Sequence, residues 1–221
     1  MLKRYFGRVR ALLHQLSPTV RAKLNQISEG LLQDSGHKQV DRILVVVTGL
    51  SLSGKTTFVE NHPKLKNFFR VETRNIHDRL NSSFHFLQDD NTVNGKAYWE
   101  RQFLTQVVRE KTLEKAMERG FPVVSDSCNS KQEKRSRWYS MAKRFGYRTM
   151  TLWIKCNKLT LLQRAWEADE ESRARGEKGT WEKLILRQIR TYEPPLEDDA
   201  NQVVAFWYDR MKPESAHQIF I

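Results

Sequence analysis

Ile43-Leu44-Val45-Val46-Val47-Thr48-Gly49-Leu50-Ser51-Leu52-Ser53-Gly54-Lys55-Thr56 runs an apolar, largely β-branched segment into a loop bounded by two glycines and closed by Lys-Thr. A continuous run such as Ile43 to Val47 suits a strand covered on both faces. The loop that follows must turn several backbone N–H groups onto one anion. Gly49 and Gly54 permit the tight path, and the helix beginning at Thr56 points its positive end the same way. Gly49, Leu50, Ser51, Leu52, Ser53, Gly54, Lys55, Thr56 and Thr57 are therefore the expected phosphate cradle. Lys55 reaches the β- and γ-phosphates of a nucleotide, and the Thr56 hydroxyl serves Mg²⁺.

The flanking segments alternate. Helical patterns cover Thr56 to His62, Asn75 to Leu80, Ala97 to Arg119, Ser130 to Phe145, Leu159 to Glu170 and Trp181 to Tyr192. Strand patterns cover Phe68 to Glu72, Phe121 to Ser125, Tyr147 to Cys156 and Val203 to Trp207. Strands alternating with helices imply an α/β three-layer sandwich: a mostly parallel five-stranded sheet with helices on both faces and a helical lid. Residues 41–221 form this domain. Residues 1–40 are a basic helical extension and linker, with an apolar stripe through Leu12, Leu13 and Leu16 that continues through Val20, Leu24, Ile27 and Leu31 after a break at Ser17-Pro18. That extension can pack on the domain, bind a partner or target an organelle.

The chain has 221 residues, of which 39% are hydrophobic, too many for a disordered chain. No apolar run is long enough to span a bilayer. Two cysteines, Cys128 and Cys156, indicate no disulfide framework, and a reducing cytoplasm is the expected setting. The six histidines show no metal-ligand spacing. The formal charge is +12, which favours a polyanionic partner, nucleic acid foremost. The charge is concentrated. Residues 1–40 hold seven cations against two acids, net +5, and residues 131–148 hold seven against one, net +6.

Three further segments resemble the P-loop kinases that include polynucleotide 5′-hydroxyl kinase and the zeta-toxin type kinases. Val123-Val124-Ser125-Asp126-Ser127-Cys128-Asn129, followed by Arg135, looks like that family's strand ending in Asp, with Asn three residues on and Arg nine on. Lys143-Arg144-Phe145-Gly146-Tyr147 is similar to its helix end before the fourth strand. Leu161-Leu162-Gln163-Arg164, with Arg173 and Arg175 beyond, is similar to its lid. The resemblance covers about residues 43–208 and implies ATP and Mg²⁺ as cofactors. Asp126, at the carboxyl edge of the sheet where α/β proteins bind ligands, can coordinate Mg²⁺ through water, orient the acceptor, take its proton, or merely cap the next helix. Lys55, Arg164, Arg173 and Arg175 are expected to neutralise charge on the transferring phosphoryl group, since such transfer rests on positioning and electrostatic stabilisation. Arg135 suits a solvated helix face as well as a site. Tyr192-Glu193-Pro194-Pro195 resembles a run that in related kinases suits contact with adenine; a loop feeding the last strand fits it equally. Trp138, Trp153 and Trp166 read as core residues.

One departure concerns the acceptor. The family usually carries an Asp just after the second strand, with an Arg beyond. Here the segment is Glu72-Thr73-Arg74-Asn75-Ile76-His77-Asp78-Arg79, and the expected position falls on Arg74 or Asn75. Glu72, His77 and Asp78 are the nearby substitutes. The leading expectation is a kinase that moves the γ-phosphoryl group to a nucleic-acid 5′-hydroxyl. In it Lys131, Lys134, Arg135 and Arg137 track the polynucleotide. The alternatives are a zeta-toxin-like kinase of a small molecule and a non-catalytic nucleotide-binding regulatory module.

Overall fold

The computed structural model describes residues 16–33, 42–84, 96–176, 178–196, 200 and 202–207, with side chains from residue 100 onward in the helix that begins at Lys96. Leu12 and Leu13 of the apolar stripe, and Lys3, Arg4, Arg8, Arg10 and Lys38, lie outside the described residues, as does most of the polar stretch before that helix. The chain divides into two compact units, Met1–Gly36 with Glu72–Lys115 and His37–Val71 with Ala116–Ile221.

The second unit carries most of the sheet. Its strands are β1 (Ile43–Thr48), β2 (Phe69–Glu72, at the boundary between units), β3 (Val123–Asp126), β4 (Arg148–Lys155) and β5 (Gln202–Trp207), in the spatial order β2-β3-β1-β4-β5. β1 pairs in parallel with β3 and with β4, and β4 in parallel with β5. The strand before the loop is therefore central, which is why all six of its residues are buried. Register sets the site: Val47 lies opposite Asp126, and Thr48 opposite Trp153. One face of the sheet packs Ile43, Val45 and Val47 with Val124, Met150, Leu152 and Ile154. Phe58 and Val59 of α2 (Lys55–Asn61) complete that cluster. On the other face lies α5 (Gln132–Arg144), whose Tyr139 hydroxyl meets Thr151 on β4 at 2.5 Å. Gly146, at φ 68, ends that helix turn and lets the chain enter β4.

α6 (Lys158–Ala174) and α7 (Trp181–Thr191) form a helical pair joined through Leu161, Ala165 and Ile185. α6 runs one turn beyond the expected end at Glu170, so Arg173 stands in its last turn and not in a loop. Asp169, buried on α6, accepts from the backbone N–H groups of Trp181 and Glu182 at 2.7 and 3.1 Å, and so caps α7 from outside its own sequence. Trp166 is 57% exposed, against the expectation of a core residue, because it lies on the outer face of α6 while Leu161 and Ala165 face α7. Trp138 is core, at 1% exposure, and Trp153 is half-buried.

The other unit is helical. It holds α1 (Pro18–Gln33), α3 (Thr73–Ser83) and most of α4 (Lys96–Glu118). Ser17-Pro18 is the start of α1: the Ser17 hydroxyl accepts from Val20 N–H at 3.3 Å, with Pro at the first helical position. α1 buries Leu24, Ile27 and Leu32. Lys111 and Lys115 of α4 reach across to Asn25 and Glu29 of α1 at 2.8 and 2.6 Å. α3 is longer than its sequence pattern, which ran from Asn75 to Leu80.

Candidate nucleotide and phosphotransfer site

The loop from Gly49 to Thr56 follows directly from β1. At Gly49 (φ 148) a Cβ would fall 2.4 Å from the Ile154 carbonyl oxygen, so only glycine passes between the loop and β4. Gly54, at φ 92, turns the chain into α2. Leu50 and Leu52 are packed against the Leu161–Ala165–Ile185 cluster, which explains two apolar residues in a loop otherwise built for an anion. Leu52 adopts φ 61 there. Ser51 is held at two points by Gln188 of α7: its N–H donates to Oε1 at 2.8 Å, and its hydroxyl accepts from Nε2 at 2.9 Å. Arg164 of α6 donates to the Leu52 carbonyl at 2.9 Å and lies 3.6 Å from Cys156 Sγ. Both helices of the pair thus touch the loop.

Lys55 donates from Nζ to the Leu50 carbonyl at 2.6 Å, folding back over the cradle. Thr56 Oγ1 donates to Asp126 Oδ2 at 3.3 Å. The same oxygen accepts from Arg70 Nη2 at 2.7 Å and Nε at 3.0 Å. Arg70 also pairs with Glu60 at 2.9 Å. Asp126 does not cap the helix after it, because α5 starts at Gln132, with Lys131 in the cap position. A threonine hydroxyl beside a buried carboxylate is a hard-oxygen pair. That suits Mg²⁺, which takes one or two protein oxygens and completes its shell with water and phosphate. Among the described residues no group of three or more His, Cys, Asp or Glu could hold a metal without such help.

Behind the loop, Asn129 ties strand ends together. It adopts φ 39, which Asn tolerates better than most residues. Its amide donates to the Val47 carbonyl at 2.7 Å, and its Oδ1 accepts from Trp138 Nε1 at 3.1 Å. Thr48 Oγ1 lies within 3.1 Å of the Cys128 and Asn129 carbonyls and 3.0 Å from the Tyr192 hydroxyl. Burial pushes the Tyr192 phenol up to about 12, so it stays protonated.

Arg135 corrects the solvated-face reading. It is fully buried, donating to the carbonyls of Asn129 at 3.1 Å, Glu193 at 2.8 Å and Pro194 at 3.1 Å. It therefore cannot track a polynucleotide. It fixes the Glu-Pro-Pro segment instead. The Glu193 carboxylate accepts from Lys131 Nζ at 2.9 Å and Gln132 N–H at 2.8 Å, capping α5. Lys131 first, then that N–H, holds Glu193 below the usual carboxylate range.

Of the expected catalytic group, Lys55, Asp126 and Arg164 come together around the loop and Thr56. Arg173 instead pairs with Glu170 one turn back, and Arg175 occupies the C-terminal cap of α6; both are exposed. Arg70 and Gln188 were not anticipated as site residues, and Tyr192 entered only with the Tyr192-Glu193-Pro194-Pro195 run, not as a partner of Thr48. Arg70 carried a weak signal, a charged residue in an apolar strand. Gln188 carried none, since its role comes from tertiary packing of α7. No helix among the described residues is long and apolar enough to cross a membrane.

Comparisons with known proteins follow the same lines. The chain is similar to the structure of the PezAT chromosomal toxin–antitoxin system of Streptococcus pneumoniae at 13% identity, with a TM-score of 0.66, covering 88% of this chain and 79% of that one. It is also similar to a putative kinase from Chloroflexus aurantiacus at 14% identity, with a TM-score of 0.55, covering 79% and 92%. At such identities the likeness is one of fold. No protein of curated function matches it. A family profile described as AAA domain matches residues 44–195. This chain belongs to that family of AAA domains, and its fold is the P-loop α/β fold.

Proposed function

We propose that this protein transfers the γ-phosphoryl group of ATP to a hydroxyl acceptor in the cytoplasm, with a nucleic-acid 5′-hydroxyl the favoured acceptor. The observation that carries the reading is the Thr56–Asp126 contact at 3.3 Å, directly beside Lys55 and the glycine-bounded loop. Lys55 binds the β- and γ-phosphates, and Thr56 with Asp126 holds Mg²⁺, which when bound neutralises charge on the phosphates. Arg164, already on the loop at Leu52, stabilises the transferring group, with Arg173 and Arg175 at the end of the same helix as the further cations of this reading. The net charge of +12 supports a polyanionic acceptor.

A small-molecule acceptor is the second reading. It is favoured by α5: Arg135 is buried and Lys131 is engaged by Glu193, which removes two of four cations from the expected polynucleotide track. Incubation with γ-labelled ATP, Mg²⁺ and either hydroxyl-ended oligonucleotides or a metabolite pool separates the two. Binding of single-stranded oligonucleotide should weaken with salt at a log–log slope of about −0.7 per phosphate contacted. Charge reversal at Lys134 and Arg137 should make that slope shallower. Absence of oligonucleotide binding at low salt rules out the polynucleotide acceptor. ATP binding without label transfer to any acceptor rules out a kinase and leaves a regulatory module.

A further inference from the structure

The Asp126 side chain, at the end of β3, is 2% exposed. A carboxylate taken that far out of water needs a counter-charge at contact distance. Arg70 of β2 supplies it, with Nη2 at 2.7 Å and Nε at 3.0 Å, both donating to Oδ2. Both bonds go to one oxygen, so the grip is end-on and not the fork over two oxygens of a closed arginine–carboxylate pair. The same Oδ2 accepts from Thr56 Oγ1 at 3.3 Å. Thr56 is the hydroxyl that suits Mg²⁺, so the guanidinium and the proposed metal ligand meet on a single carboxylate oxygen. Arg70 also donates from Nη1 to Glu60 at 2.9 Å, on the helix that the phosphate loop opens into. Lys55 and Arg70 therefore at least cancel Asp126 and Glu60 in charge. An isolated Mg²⁺ meets no net negative charge at this corner of the fold.

We propose that Arg70 is a positioning residue that acts through Asp126. It serves as the resident counter-ion of the carboxylate, and so ties entry of the divalent cation to entry of the nucleotide. Mg²⁺ gives up its water reluctantly, and is usually held by one or two carboxylates together with substrate phosphates. With Asp126 already neutralised by Arg70, the protein alone lacks the negative charge to hold it. The β- and γ-phosphates on the loop add that charge, and the cation and the guanidinium then share Asp126. Thr56 and Asp126 form a site for the metal–nucleotide complex and not for the free metal. A purely structural arginine would stabilise the fold to the same degree whether or not metal is present. The metal-linked role rests on the nucleotide reading of the loop; the Arg70–Asp126 contact does not.

The test compares full-length wild type, Arg70→Met, Arg70→Lys and the double variant Arg70→Met/Asp126→Asn by thermal unfolding against MgCl₂, at fixed ionic strength and without nucleotide. Wild type and Arg70→Lys should show no saturable rise in melting temperature. Arg70→Met should start lower and rise saturably, because its uncompensated carboxylate takes the cation and binding to the folded state stabilises it. Its apparent Kd for free Mg²⁺ should be tighter than that of wild type by about tenfold or more, the effect of removing one nearby positive charge even in high dielectric. The double variant should not respond. A second measurement does not depend on Arg70→Met folding. The Arg70 Nε–H NMR signal, assigned by its loss in Arg70→Lys, should stay in place with Mg²⁺ alone. It should shift with Mg²⁺ and a non-hydrolysable ATP analogue, and further than with the analogue and EDTA. Wild type that takes Mg²⁺ alone as tightly as Arg70→Met, or an Arg70→Met deficit equal at every Mg²⁺ concentration, overturns the proposal. So does an Arg70 signal indifferent to the metal when the analogue is bound. If the analogue does not bind while Arg70→Met still gains its Mg²⁺ response, the nucleotide reading fails and the counter-ion role of Arg70 stands.

Discussion

Arg70 grips Asp126 through a single carboxylate oxygen, with Nη2 at 2.7 Å and Nε at 3.0 Å from Oδ2. The Asp126 side chain is 2% exposed, and that of Arg70 21%. A buried carboxylate held this way depends on its partner, since removing one member of such a pair leaves an uncompensated buried charge. Arg70→Met should therefore destabilise the fold by about 3–5 kcal/mol. Adding Asp126→Asn should recover part of that loss, because the orphaned charge goes with it. Urea unfolding of the two single variants and the double variant measures the coupling. Strict additivity would mean that Arg70 acts elsewhere, through Glu60.

The loop makes a separate demand. Lys55→Ala and Thr56→Ala should each raise the Kd for Mg²⁺–ATP ten- to a hundredfold, about 1.5–3 kcal/mol for a hydrogen bond to a charged group. The melting temperature of Lys55→Ala without nucleotide should change little, because the Lys55 ammonium donates to the Leu50 carbonyl alone, whereas Thr56→Ala also takes a donor from the buried Asp126 carboxylate. Asp126→Asn should behave differently, lowering turnover by about 10²–10⁴ with a smaller effect on ATP affinity, if the carboxylate acts on the acceptor or metal in the transition state. Calorimetry and label transfer on the same samples separate the two patterns.

The element order and the loop were legible because their signals are local. A β-branched run, two glycines and Lys-Thr need no tertiary context, and Asp126 ends a strand whose apolar pattern is plain. Arg135 was not legible. A basic residue in a basic helix looks solvated, and only the return of the chain at Glu193 and Pro194 supplies the carbonyls that bury it. Trp166 misled for the opposite reason: its size suggested the core, but the helical phase set by Leu161 and Ala165 turns it outward. The acceptor half was obscure because an expected Asp is replaced by Arg74 or Asn75.

Arg135→Met removes three bonds to backbone carbonyls and should destabilise the fold by about 2–4 kcal/mol. Arg135→Lys should rescue little, because a point ammonium cannot serve the forked arrangement of Asn129, Glu193 and Pro194 carbonyls. Since the group is fully buried, the loss should be nearly independent of salt between low and physiological ionic strength. A salt-dependent loss would return Arg135 to the surface and to the polynucleotide track.

His77 links the helical unit to pH. Its folded pKa is lowered from 6.5 by burial first, then by Arg101 on α4, against an opposing pull from Asp78 on its own helix. The unfolded chain therefore binds the proton more readily than the folded one. Stability from this group is intact above about pH 6.5 and falls as the pH drops from there toward the folded pKa. The slope cannot exceed one proton, about 1.4 kcal/mol per pH unit. His77→Gln removes the titration, so the difference in unfolding free energy between wild type and variant should shrink or reverse in favour of the variant as the pH falls from 7.5 to 5. Carboxylates elsewhere titrate in both proteins and cancel in that difference. Arg101→Met should make the acid loss shallower by letting the folded pKa rise, and Asp78→Asn should deepen it by letting the pKa fall further. Denaturant midpoints across that range check all three. Parallel curves for wild type and His77→Gln would show that His77 keeps its ordinary pKa in the folded protein, its burial notwithstanding.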